Sequence, residues 1–77
     1  MAYCRMSDFY EVYMYKGFDG LFYFHLSRDA QGNSKRIDFS VLGTKEALHR
    51  LKRLRIQGYN IPDYAFSRLE EEIAEGK

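Results

Sequence analysis

The sequence predicts an α+β domain, a three-stranded antiparallel β-meander followed by two α-helices, and three observations carry that reading. Apolar residues alternate with polar or tyrosyl ones from Phe9 to Val41, the period of a strand. After Gly43 the apolar spacing lengthens to that of a helix. The segments are separated by turn chemistry, Phe18-Asp19-Gly20 and the run Asp29 to Ser34. Strands first and helices second is the α+β order, and residues 1–77 read as one domain with the helices on one sheet face.

The first strand spans residues 9–16, where Tyr10, Val12 and Met14 alternate with Glu11, Tyr13 and Tyr15. The second, 21–28, alternates Phe22, Phe24 and Leu26 with Tyr23, His25 and Ser27. The third, 35–42, alternates Ile37, Phe39 and Val41 with Arg36, Asp38 and Ser40. A register slip of one residue would turn a whole apolar set into water, so the pattern also fixes the pairing. A three-residue loop with Gly20 in the left-handed region places Met14 opposite Phe24 and Val12 opposite Leu26. Pairing Arg28 with Lys35 across an even loop places Leu26 opposite Ile37 and Phe24 opposite Phe39.

The first helix spans residues 45–57, with Thr44 as N-cap, Glu46 in the first turn and Gly58 just past the end. Ala47, Leu48, Leu51 and Leu54 make its apolar stripe and cover the sheet. The second spans 62–75, with Pro62 as its first residue and Asp63 in its first turn. Pro62, Ala65, Phe66, Leu69 and Ile73 share its inner face, while Tyr64, Glu71 and Glu75 point away from it.

A chain of 77 residues buries only about 60% of its unfolded surface, so a second buried contact would add usefully to its stability. The net charge of +1 gives no global argument for nucleic acid or membrane. The charge is nevertheless sorted along the chain: 1–43 is balanced, 44–58 holds five basic residues against Glu46, and 59–77 is acidic. Cys4 is the lone cysteine, which excludes an intramolecular disulfide and suits a reducing cytoplasm. No apolar run approaches the ~20 residues of a membrane span.

Three constellations are candidates for function. On the predicted register Tyr15 lies opposite Tyr23 and Tyr13 opposite His25, with Glu11 and Ser27 beyond, so the second sheet face is aromatic; Phe18 stands exposed at the turn. Tyrosine joins a large apolar body to a polar tip and is enriched in recognition surfaces, although cross-strand packing alone also accounts for it. The basic helix, with Lys45, His49, Arg50, Lys52 and Arg53, suits phosphates or an acidic partner, or a solvated face favoured by the helix dipole. Tyr64, Glu71 and Glu75 make an acidic face. His25 and His49 lie in different elements with no Cys or carboxylate at ligand spacing, so neither a metal nor a cofactor is expected. No nucleophile elbow or phosphate loop connects the Ser, His and Asp residues, so no catalytic residue is assigned and no enzyme is expected.

Two segments carry a resemblance. The stretch Tyr-Cys-Arg-Met-Ser at Tyr3–Ser7, running into an acidic-to-aromatic strand, resembles the opening of a family of small uncharacterised tailed-bacteriophage proteins. The turn Gly58-Tyr-Asn-Ile-Pro62 into a short acidic helix is similar to that family's ending. The resemblance implies no activity. It implies a setting, in the host cell cytoplasm, in which a small non-enzymatic protein binds and inhibits a host or defence-system protein, as anti-CRISPR proteins do. A nucleic-acid-binding module and a structural homodimer closed through the tyrosine face are the alternatives.

Overall fold

A computed structural model describes residues 2–76. Its element order is β1 (Ala2–Cys4), β2 (Val12–Lys16), β3 (Leu21–Leu26), β4 (Ile37–Leu42), α1 (Thr44–Ile56) and α2 (Asp63–Ala74). The sheet is antiparallel in the order β1-β2-β3-β4, so it has four strands where the alternation predicts three. The extra strand escapes the pattern because β1 is bulged: Ala2 pairs with Tyr15 and Cys4 with Met14. Two residues of β1 thus oppose one step of β2, and both Tyr3 and Cys4 enter the core.

The meander follows the predicted register. Val12 pairs with Leu26 and Met14 with Phe24, while Phe24 pairs with Phe39 and Leu26 with Ile37. Gly20 closes the first hairpin with φ 84°, and the Gly17 amide donates to the Leu21 carbonyl at 2.9 Å. The strands are shorter than the alternation implies. Before β2, the Ser7 hydroxyl accepts from the Phe9 and Tyr10 amides at 3.2 and 2.9 Å and curls the chain. After β3, the Asp29 carboxylate accepts from the Gln31 and Asn33 amides, which ends the ladder at Leu26 and Ile37 instead of Arg28 and Lys35.

Both helices pack on the inner face, α1 toward β4 and α2 toward β1. The core joins Val12, Met14, Phe22, Phe24, Leu26 and Val41 of the sheet to Ala47, Leu51 and Leu54 of α1 and to Ala65, Phe66 and Leu69 of α2. Two predicted caps shift by one residue. Gly43, not Thr44, is the N-cap of α1, since its carbonyl accepts the Ala47 amide at 3.0 Å. Pro62 is the N-cap of α2 with ψ 143°, so the helix begins at Asp63.

Helix α1 ends in a Schellman motif. The Gly58 amide donates to the Arg55 carbonyl and the Tyr59 amide to the Leu54 carbonyl, with Gly58 at φ 102°. That motif turns Tyr59 and Ile61 into the core, which no helical or strand period in the linker reveals.

Candidate functional site

The outer sheet face, opposite the helices, carries four mutually packed rings. Tyr13, Tyr15, Tyr23 and His25 stand on adjacent positions of β2 and β3, with Tyr13 opposite His25 and Tyr15 opposite Tyr23. Tyr15 is the centre of the group. Its centroid lies 5.2 Å from Tyr23 and 5.7 Å from His25, with interplanar angles of 18° and 16°. Tyr13 lies 5.1 Å from Tyr15 and 5.6 Å from His25.

Near-parallel rings at such separations overlap in offset stacks and do not lie side by side in one plane. The rings pack on one another at a partial overlap, with two further neighbours at the ends of the group: the Arg5 guanidinium carbon sits 5.7 Å from the Tyr13 centroid, and a Cβ built on Gly17 would meet the Tyr23 ring at 2.7 Å. What the group offers outward is ring edges and polar tips. All four side chains are half-buried against one another.

The polar tips divide into two kinds. The Tyr23 hydroxyl donates to the Asp19 carboxylate across the hairpin, which holds that carboxyl below its ordinary pKa together with the Leu21 amide. His25 Nδ1 meets Asp38 Oδ1 at 2.6 Å, and Arg36 Nε donates to the same oxygen at 3.2 Å. The His25 bond is the first cause holding Asp38 below its usual carboxylate range. By contrast, among the described residues the hydroxyls of Tyr13 and Tyr15 have no hydrogen-bond partner and no buried side-chain polar atom is orphaned, so these two donors face solvent.

The rim is of mixed sign, with Arg5 and Arg36 set against Asp19 and Asp38. Met6, Ser27 and Arg36 join Tyr13, Tyr15 and His25 around a hollow at one end. At the other end Leu42, paired with Leu21, is 71% exposed on the same face, and Phe18 stands fully exposed at the hairpin tip. Leu42 continues the outward set Asp38-Ser40 at period two, so alternation alone was enough to find it. Arg5 and Met6 follow β1 and share its invisibility.

Glu11, expected beyond Tyr13 on this face, belongs elsewhere. Its carboxylate takes Arg28 Nε at 2.5 Å and Nη2 at 3.1 Å, and accepts the Asn60 amide at 2.9 Å. Arg28 also donates to the Gly58 carbonyl at 3.0 Å and stacks over the Tyr59 ring at 4.4 Å. This clasp ties the α1–α2 linker to the sheet. The Arg28 and Asn60 bonds hold the Glu11 carboxyl below its ordinary pKa.

The basic helix is not one surface. Lys45, His49, Lys52 and Arg53 are exposed, but Arg50 folds down so that its guanidinium carbon lies 4.8 Å from the Phe39 centroid. On α2, Tyr64, Glu71 and Glu75 are exposed as expected, whereas Glu72 accepts the Tyr3 hydroxyl at 2.7 Å. Burial pushes the Cys4 thiol up to about 11, which keeps it protonated and poorly nucleophilic.

No group of three or more His, Cys, Asp or Glu that could hold a metal ion occurs among the described residues. No helix there is long and apolar enough to cross a membrane. The fold and this face define a small α+β domain with one sheet side open. Comparison with protein families, with curated proteins and with solved structures returns no match for the chain.

Proposed function

We propose that this is a non-enzymatic binding protein that acts by protein contact through the open aromatic sheet face. One observation carries the reading: four rings packed on one another on the open sheet face present two tyrosine hydroxyls and a rim of mixed charge to a partner. Proteins are recognised through such amphipathic aromatic patches. Stacking nucleobases goes with a basic track along the strand of nucleic acid, and the rim here sets Asp19 and Asp38 against Arg5 and Arg36. The setting, a phage-type inhibitor of a host or defence complex in the host cytoplasm, rests on the resemblance of the two terminal segments alone.

The test is affinity capture from bacterial lysates with wild type and Tyr15→Ala, each checked for native fold by circular dichroism. Wild type should retain a stoichiometric protein through nuclease treatment, and Tyr15→Ala should weaken that retention about tenfold or more, as loss of a central aromatic anchor does. Retention that nuclease abolishes, or that Tyr15→Ala leaves intact, overturns the assignment.

A further inference from the structure

The two edges of the sheet differ in a way that bears on recognition. β1 is three residues long and bulged, both of which blunt an edge against pairing. β4 offers Ile37–Leu42, six residues without proline, glycine, lysine or bulge and with Asp38 as their single charge. It pairs with β3 on one side, and its outward amides and carbonyls have no partner among the described residues.

The core side of this edge is also incompletely covered. Phe24 and Leu26 on β3 are buried, but their β4 partners Phe39 and Ile37 remain half-exposed. Between β4 and α1 lies a groove of about 380 Å³, with Ile37, Phe39, Leu54 and Tyr59 among its apolar lining and Arg50 and Arg53 as its cations. Neither arginine has an ion-pair partner among the described residues, although Arg28, Arg36 and Arg55 each meet a carboxylate.

We propose that the β4 edge and this groove dock an extended acidic and apolar segment of a protein partner as a fifth strand. The segment's backbone pairs with β4. Its inward side chains alternate between the Ile37–Phe39 floor and carboxylate bonds to Arg50 and Arg53. Charge selects this occupant over a second copy, because copies joined edge to edge would bring their own Arg50 and Arg53 together. The unpaired strand selects it over nucleic acid, whose backbone has no alternating amides and carbonyls to add to a sheet edge. The site lies at the β4 edge on the helix side of the sheet, whereas the Tyr13–Tyr15 contact lies on the outer face, so the two assignments stand or fall separately.

The probe is acetyl-Glu-Val-Val-Glu-Glu-Val-amide, titrated into nitrogen-15-labelled protein to millimolar concentration. Amide shifts should concentrate in Ile37–Leu42 and guanidinium shifts at Arg50 and Arg53. The Lys-for-Glu peptide and a backbone N-methylated peptide should each bind about tenfold or more weakly. Arg50→Glu with Arg53→Glu should invert the preference in favour of the Lys peptide, a gain that misfolding would not produce. Shifts spread away from β4, equal binding of the N-methylated peptide, or tighter binding of oligo-dT at Arg50 and Arg53 overturns the proposal, the last by making the groove a phosphate surface.

Discussion

Tyr23 is held in the ring group by a neighbour that has no side chain. A Cβ at Gly17 would fall 2.7 Å from Tyr23 Cε2 and 2.8 Å from Asp19 Oδ1, below any contact a methyl group makes. Gly17→Ala should therefore swing the ring away and break its bond to Asp19, at a cost of about 1–3 kcal/mol from overpacking. Two signals report the change by NMR. The ring-current shifts between Tyr15 and Tyr23 should collapse. The Asp19 carboxyl, now held low first by the Tyr23 hydroxyl, should titrate at a higher pH. An alanine variant with both signals unchanged would show that the hairpin absorbs the methyl group without moving Tyr23. Nothing in the sequence pattern marks Gly17, because the ring that needs its bare backbone is six residues further on.

At the scale of elements, Gly58 makes the sharper test of how the helices are joined. Its φ of 102° lets the Tyr59 amide reach the Leu54 carbonyl at 3.2 Å and turns Tyr59 inward, where its hydroxyl donates to the Arg28 carbonyl at 2.9 Å. Gly58→Ala should cost about 1–2 kcal/mol, the penalty of a Cβ in left-handed backbone, read as a lower urea midpoint with an unchanged slope. A midpoint equal to wild type would mean that the motif relaxes without strain. The pairing of β2, β3 and β4 and both helical stripes were legible because each obeys one period against one core face, as Met14, Phe24 and Phe39 do across three strands. Tyr3 and the strand that carries it were not, since a bulge sends two consecutive residues inward and leaves no alternation to detect. The candidate face was legible in its rings and only in part in its polar partners. Asp38 meets His25 across a strand pair that the register predicts, but Arg5 arrives on a strand the pattern hides.

Across the whole molecule, the Glu11–Arg28 clasp joins segments distant in sequence: the approach to β2, the end of β3 and the α1–α2 linker through Gly58 and Asn60. Glu11 is also the least exposed of the paired carboxylates, at 22% of its side chain against 50% for Asp38 and 84% for Asp63. Solvent screening therefore discounts the exposed pairs most, and the acid sensitivity of the fold should centre on Glu11. Its folded-state pKa is depressed below the ordinary 4.5, so its contribution is present above that value and is lost as pH falls through the lower folded value. Glu11→Gln keeps the shape and removes the charge. At neutral pH the variant should be less stable by about 1–3 kcal/mol in urea unfolding, the scale of charge-assisted hydrogen bonds. The difference should shrink as pH falls below 4.5 and vanish once wild-type Glu11 is protonated in both states. A deficit that stays constant from neutral to acid pH would mean that shape and not charge holds the linker to the sheet. Parallel loss from Asp38→Asn alone would move the acid-sensitive centre to the His25 pair on the open face.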